Sequence, residues 1–504
     1  VTEHQFKTAP YDHQRNIFTE SRNLPAYALF LDLGTGKSHI VVNTAAWLYT
    51  RGEIDGLLVV APKGVYSNWV DYEIPKHAPD EILEEARIVL WQSGTSNKAY
   101  RDGIGELFEL TPRRLHVLVM NIEALNTRPA FTLAAKFLKF HSSLMVVDES
   151  SAIKNPKAKW TQRVTRLGKA AKYRRILTGT PITNSPLDAY SQFEFLDPSI
   201  LGFSSYYGFR NRYALVRRRR INTHAFDEVV GYQRLDELHA KITSSGVILK
   251  KEECLDLPDK IYLSRRIELS PRQRKIYDQL KKMSVAELDG TGVVTVELAL
   301  TKLLRLHQIT CGFVPVSGPA DALDATDEVP RDTERWTAVI DPGGGPRQRE
   351  LLALLEETSG KVIIWANYTY NIDTIYETLC SAYGAGSVGR FYGATSEDDR
   401  KVIISRFQDP KSDLRFFVGQ PRSGGYGLTL TEAKTVVYFS NNYSLESRLQ
   451  SEDRAHRIGQ TSNVTYVDIV ASNTVDEKIT KCLRDKKNLA DLVMGGGWRE
   501  FFED

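Results

Sequence analysis

Short apolar, β-branched runs recur along the N-terminal part of the chain, each followed by a stretch whose apolar positions repeat at helical spacing. They are YALFLDL (27–33), GLLVVAP (56–62), RIVLW (87–91), HVLVMN (116–121), LMVVDE (144–149) and RRILTG (174–179). Strand-sized runs alternating with helical patterns predict a parallel sheet covered on both faces. A second series, KVIIWAN (361–367), GRFYGA (389–394), LRFFVG (414–419), TVVYFS (435–440) and VTYVDIV (464–470), predicts a second α/β domain. Between the two, residues 196–350 read as helical and irregular, interrupted by the turn-rich or acidic stretches DLPDK, SGPADALDATDEVP and DPGGGP. No internal repeat of solenoid or propeller period is present.

Composition narrows the class. A chain of 504 residues is too long for one core. It is 42% apolar and 26% charged, without an apolar run of about 20 residues or a signal-peptide layout, which argues against membrane and secreted readings and for the cytoplasm. The cysteines, Cys254, Cys311, Cys380 and Cys482, have neither metal-ligand nor disulfide-framework spacing and are expected to be small core residues. A net charge of +3 excludes a basic nucleic-acid coat. Any polyanion must meet a local patch, and three candidates exist: VRRRR (216–220), Lys250 with Lys251, and RDKK (484–487).

Candidate chemistry begins at LDLGTGKSHI (31–40), where Gly34, Thr35, Gly36, Lys37 and Ser38 lie between a predicted strand and a predicted helix. Such a turn aims backbone N–H groups and a helix N-terminus at an anion, with Lys37 on the outer phosphates and the Ser38 hydroxyl on Mg²⁺. The full P-loop pattern has a further glycine where this chain has Leu31, and an ordinary glycine turn capped by a serine is the alternative. The run LMVVDE then ends in Asp148 and Glu149. Adjacent carboxylates at a strand end suit Mg·ATP hydrolysis, Asp148 toward the ion and Glu149 toward the attacking water; an acidic turn is the alternative. In QSEDRAHRIGQ (450–460), Arg454 and Arg457 are three residues apart and Gln450 precedes Arg454 by four. On a helix these would share one face, where two arginines suit phosphate charge that grows in a transition state; a surface salt-bridge helix would look the same.

The segments YDHQ, LGTGKS, VVAPKGVYSNW, VVDESSAIKN, LTGTPITNSPLDAYSQFEFLDP, GGYGLTLTEA and QSEDRAHRIGQ, in this order, resemble the SWI/SNF-type ATPases of helicase superfamily two over nearly the whole chain. So do LDLPDKIYLSRRIELSPRQRKIY and TVDEKITKCLRDKKNLADLV, outside the nucleotide site. The resemblance implies an α/β fold of two RecA-like parallel-sheet lobes with mainly helical insertions. The expected divisions are an N-terminal lobe over 1–200, a helical and basic insertion over 201–260, a linker and insertion over 261–350, and a C-terminal lobe over 351–504. It implies ATP and Mg²⁺ as cofactors and double-stranded DNA as partner, with branched or single-stranded DNA as further forms, and a monomer.

Carried onto matching residues, Gln14 would contact adenine. Gly34 to Ser38, with Gly427 and Gln450, would hold the nucleotide, Ser38 and Asp148 the metal. Lys37, Asp148, Glu149, Arg454 and Arg457 would be catalytic. Lys63, Ser67, Asn68, Trp69, Thr178, Asn184, Ser423, Gly424, Gly425 and Thr429 would track nucleic acid or couple tracking to hydrolysis. Physically, the glycines of RSGGYG let backbone N–H groups approach a phosphate chain. The chain departs from the family at Ser150 and Ser151, where a small residue and then histidine are usual, and at Thr429, where asparagine is usual. With no reader module within its length, it is expected to be a bare motor like compact bacterial or phage members. A strand-separating DNA or RNA helicase and a non-catalytic nucleic-acid scaffold are the rival readings.

Overall fold

The computed structural model describes residues 4–94, 97–109, 114–179, 182, 185–221, 224–255, 257–290, 296–315, 337–341, 345–421 and 428–485. The chain divides into two compact units, Val1–Asp256 and Leu257–Asp504.

In the first unit the apolar runs become β1 (Ala26–Leu31), β2 (Gly56–Ala61), β3 (Arg87–Leu90), β4 (His116–Asn121), β5 (Ser143–Asp148) and β6 (Tyr173–Thr178). An antiparallel ribbon follows, β7 (Ala214–Ile221) with β8 (His224–Tyr232), and then β9 (Gly246–Leu249). The main sheet is parallel, in the order β3-β4-β2-β5-β6-β1-β9. Leu58, Val60, Leu118, Met120, Met145, Val147 and Ile176 are fully buried on one of its faces against helices. Burial on both faces is why these strands are continuously apolar instead of alternating.

The order of four neighbours matters for function. Because β2, β5, β6 and β1 lie side by side and parallel, the segments leaving their C-terminal ends emerge together, at about 4.8 Å per strand. Those segments carry Trp69, Asp148 with Glu149, Thr178, and Gly34 to Ser38.

The second unit holds β10 (Lys260–Ile267), a small antiparallel pair β11 (Phe313–Pro315) and β12 (Thr337–Val339), then β13 (Lys361–Trp365), β14 (Val388–Phe391), β15 (Phe416–Gly419), β16 (Ala433–Tyr438) and β17 (Val464–Ala471). Its sheet is parallel, in the order β10-β17-β16-β13-β15-β14. One face is packed around Val362, Ile364 and Val437, the other around Ile363, Trp365 and Phe417. The expectation of two parallel-sheet α/β lobes therefore holds.

The stretch 196–350 differs from its helical and irregular reading. It contains the helices Pro271–Gly290 and Val296–Thr310, but also β7 to β10. β9 and β10 are the edge strands of the two sheets, and β10 pairs with β17 from Lys260↔Val464 to Ile267↔Ala471. Edge strands face solvent on one side and carry charge, so KIYLSRRI lacks the apolar signature of a central strand. Among the cysteines only Cys311 is buried; the other three are half-buried. Among the described residues no helix is long and apolar enough to cross a membrane.

Candidate functional site

The loop after β1 turns at Gly34 and Gly36, with φ of +77° and +92°, and the helix Lys37–Thr50 begins directly behind it. Left-handed φ at both positions requires glycine. At Gly36 space demands it as well, since a Cβ there would lie 2.9 Å from Gln14 Cδ. Leu31, which stands in place of the P-loop's first glycine, is the last residue of β1, fully buried and without positive φ, so glycine is not needed there.

The loop is clasped from two sides. Gln14 is buried; its Nε2 donates to the Thr35 carbonyl at 3.0 Å while its Oε1 accepts from the Tyr11 N–H at 3.1 Å. On the other flank the Lys251 N–H donates to Asp32 Oδ2 at 2.9 Å, and the Asp32 N–H to the Leu249 carbonyl at 3.1 Å. Lys251 is itself buried and clamps the loop through its backbone N–H, whereas Lys250 is exposed. Lys37 Nζ donates to the Leu31 and Asp32 carbonyls at 2.7 and 3.2 Å, which holds its charge over the loop.

Asp148 and Glu149 follow at the end of β5. Asp148 Oδ2 accepts from the Trp69 indole N–H at 2.9 Å, and its Oδ1 from the Glu149 N–H at 3.0 Å. Burial pushes the Asp148 carboxyl up to about 6; Trp69 opposes the rise, Glu149 adds to it, and Lys37 opposes it. Glu149 has φ +50° and ψ +60°, a left-handed conformation that costs a non-glycine residue about 1 kcal/mol or more. The Thr178 and Ser151 hydroxyls fix it by donating to its Oε1 at 2.9 and 3.1 Å. Ser151, where the family has histidine, thus holds the acid by a hydroxyl. Ser150 Oγ donates to Gln192 Oε1 at 2.6 Å, joining the acid loop to the helix Ala189–Leu196.

These contacts bear on two of the residues expected to track nucleic acid or to couple tracking to hydrolysis. Trp69 is 1% exposed and Thr178 is fully buried, so neither side chain is open to nucleic acid; Trp69 is bonded to Asp148 and Thr178 to Glu149. The segments they belong to have other members at the surface. Lys63 is exposed, and Ser67 and Asn68 are half-exposed, the latter donating to Glu73 Oε1 at 3.2 Å. Trp69→Phe removes the donor that restrains Asp148 and is expected to raise its pKa further. A metal-holding role needs Asp148 ionised, so under that role the acid limb of kcat/KM for ATP should move to higher pH; a superimposable pH profile would dissociate the indole from the carboxyl's titration.

In the second unit the helical reading of QSEDRAHRIGQ is corrected. The helix Leu445–Glu452 stops before Arg454, and the following residues form turns, so Gln450 shares no helical face with the arginines; its Nε2 donates to Glu446 Oε1 at 3.3 Å. Arg454 and Arg457 converge by another route: Nη1 of each donates to the Leu428 carbonyl, at 3.3 and 3.1 Å. Arg454 is buried and Arg457 is half-exposed, so Arg457 is the one with room to reach a phosphate. Thr429, also half-exposed, is next to that carbonyl. Thr180, Pro181, Asn184, Ser423, Gly424, Gly425 and Gly427 lie outside the described residues.

A buried ion network that the sequence reading missed holds the arginine segment. Arg448 donates to Asp468 Oδ1 at 2.5 Å, to Glu452 Oε1 at 2.8 Å and to Asn441 Oδ1 at 2.7 Å, and its guanidinium lies 3.5 Å from the Tyr438 ring centre. From β10, Tyr262 and Lys260 reach Glu452 Oε2 at 2.7 and 3.1 Å. Burial opposes the Glu452 charge, but Arg448 and Lys260 outweigh it and hold the carboxyl below its usual range. His456 Nε2 bonds the Pro258 carbonyl at 2.7 Å. The Arg448–Glu452 spacing of four was the available signal.

Among the described residues no group of three or more His, Cys, Asp or Glu could hold a metal ion. Mg²⁺ in nucleotide sites takes one or two carboxylate or hydroxyl oxygens and completes its shell with water and substrate phosphates. Ser38 and Asp148 supply such oxygens.

A glycine turn at a helix N-terminus, a lysine over it and a paired acid at the end of a strand one place beyond the neighbouring one in the same sheet define a P-loop nucleotide-binding lobe, followed here by a second α/β lobe with convergent arginines. Comparison with known proteins agrees. The SNF2-related domain matches residues 17–312, and the helicase conserved C-terminal domain residues 347–459. The chain belongs to the SNF2-related family, the SWI/SNF-type ATPases of helicase superfamily two. It is 26% identical over 478 residues to the SWI/SNF chromatin-remodeling complex subunit snf22 of Schizosaccharomyces pombe, covering 92% of this chain and 26% of that protein. Against the human SWI/SNF-related matrix-associated actin-dependent regulator of chromatin subfamily A member 1 it is also 26% identical, covering 92% and 41%. The chain thus spans about a quarter to two fifths of the length of these curated relatives. The Sulfolobus solfataricus SWI2/SNF2 ATPase core in complex with dsDNA is 24% identical, with a TM-score of 0.42, covering 100% of this chain and 97% of that one.

Proposed function

We propose that the chain is a DNA-dependent ATPase that couples hydrolysis to movement along double-stranded DNA. The observation that carries this reading is the wiring of the acid pair. Asp148 is bonded to Trp69 and Glu149 to Thr178, and both partners sit in segments whose neighbours are exposed or half-exposed. A shift in either segment reaches a catalytic carboxylate through one hydrogen bond.

In this reading Lys37 and the loop N–H groups bind the phosphates, while Ser38 and Asp148 hold Mg²⁺. The ion, when bound, neutralises phosphate charge. Glu149, with Oε1 fixed by Thr178 and Ser151, orients a water and takes its proton on the remaining oxygen. Arg457, with Arg454 bracing the same carbonyl, meets charge growing on the γ-phosphate. Sequence-independent stepping asks for backbone contacts, which the glycine loop and Lys63 to Asn68 would supply.

ATPase rates with no nucleic acid, duplex DNA, single-stranded DNA and RNA, measured in parallel, test the substrate; the largest stimulation is expected from duplex DNA, and equal rates in all four would overturn the coupling. Tracking is tested by displacement of a triplex-forming strand beside unwinding of a forked duplex. ATP-dependent release of the former with little of the latter is expected. Efficient fork unwinding would replace the translocase with a helicase.

A further inference from the structure

The first unit carries a groove that the nucleotide site does not use. It runs between the helices Lys98–Glu106 and Arg128–Phe140, which precede and follow β4, at the end of the sheet away from β1 and the phosphate loop. Its volume is about 600 Å³, within the range of clefts that hold ligands. Helical spacing builds both walls. Arg101, Ile104 and Gly105, with Phe108 one turn further, lie along one side of the first helix and the turn after it, and Arg128, Thr132 and Lys136 recur every four residues along the second.

Floor and rim differ in chemistry. Ile104, Phe108 and Leu133 are half-buried and pack on the core of the unit, whereas Arg101, Arg128 and Lys136 are exposed. A Cβ at Gly105 would meet no atom within 4 Å, so the first helix leaves open space at that point of the groove. The Lys136 ammonium lies 3.8 Å from the Phe108 ring centre, and Phe140, 41% exposed, continues the aromatic surface, its ring centre 5.6 Å from that of Phe108.

The rim is positive and carries no compensating charge. Among the described residues no acid lines the groove, and no carboxylate lies within ion-pair distance of Arg101, Arg128 or Lys136. Glu106 is engaged by Arg87 at 2.7 Å, and Asp102 and Glu109 are exposed outside the lining.

Apolar floor and cationic rim together select the occupant. A phosphate chain would satisfy the rim and leave the floor wet, because its contacts are ionic and polar. An amphipathic helix laid in the groove meets both, with its apolar face on Ile104 and Leu133 and its carboxylates on the rim. Arg128 and Lys136 stand about 12 Å apart along their helix, so carboxylates about two turns apart on the occupant would face them together.

We infer that this groove is a docking site for a partner protein, which enters it with an acidic amphipathic helix. The site is independent of the duplex-DNA reading, since none of its residues belongs to the nucleotide loop or to the segments assigned to tracking.

The test is selection on the full chain from a displayed library of random peptides about four helical turns long, followed by fluorescence anisotropy of the enriched peptides against the parent and two variants. Gly105→Trp places an indole in the open space without changing charge, and Arg101→Glu with Arg128→Glu reverses the rim. The enriched peptides are expected to carry carboxylates about two turns apart around apolar residues, and to weaken as salt rises. They should also lose about tenfold or more in affinity for each variant. ATP turnover without DNA should be parental in both variants, and Gly105→Leu and Arg101→Gln with Arg128→Gln take their place should either fold poorly. Enrichment of no acidic amphipathic peptide, or peptides that bind parent and variants alike, would overturn the docking site. Loss of duplex-DNA affinity on charge reversal alone, with no peptide enriched, would also overturn it and give the rim to phosphates.

Discussion

Glu149→Gln is expected to bind ATP and stall, losing roughly a hundred- to ten-thousandfold in turnover, the range over which a positioned general base contributes. The site explains why the change is selective. Thr178 and Ser151 both donate to Glu149 Oε1, and a glutamine carbonyl oxygen accepts the same two bonds, so the strained backbone at φ +50° keeps its supports. What disappears is the proton-accepting oxygen. Lys37→Ala should behave differently, because Lys37 carries charge toward phosphate in ground and transition states alike, so ATP affinity and turnover fall together. Phosphate release and binding of a fluorescent ATP analogue, measured on the same preparations, separate the two patterns. Near-normal turnover in Glu149→Gln would remove Glu149 from the role of base.

Arg457→Ala should lose hydrolysis by on the order of a thousandfold or more, as loss of an arginine finger does in related phosphoryl transfer. DNA affinity should stay close to parental. The side chain is half-exposed and tethered at Nη1 to the Leu428 carbonyl, so its removal leaves no buried charge and no cavity. Arg454 is not an equivalent target, since it is buried and its truncation would disturb packing along with charge. Phosphate release at saturating DNA, with filter binding beside it, reads the outcome. Loss of DNA binding with basal ATPase preserved would reassign Arg457 to the DNA groove.

Much of this was legible from residues alone, and the misses share a cause. The P-loop turn was readable because Gly34 and Gly36 are demanded locally by positive φ. The acid pair was readable because it ends an apolar run. Trp69 and Thr178 were assigned to tracking or its coupling by resemblance to the family, and their side chains turn inward to carboxylates distant in sequence. Arg454 and Arg457 were given the right convergence by the wrong geometry, since helical spacing does not reveal that the helix stops at Glu452.

The sequence by itself determined the two parallel-sheet lobes, the nucleotide loop, the acid pair and the family. The lobes, the loop and the acid pair rest on short-range signals, namely apolar periodicity, glycine at left-handed positions and carboxylates at a strand end; the family rests on the resemblance of motifs in their order along the chain. Only the tertiary structure decided that β2, β5, β6 and β1 are neighbours, which brings Trp69 to Asp148 and Thr178 to Glu149. It also decided that β10 crosses the sequence to pair with β17 and brace Glu452. Strand order and side-chain facing depend on which surfaces bury each other, a choice made among residues far apart along the chain.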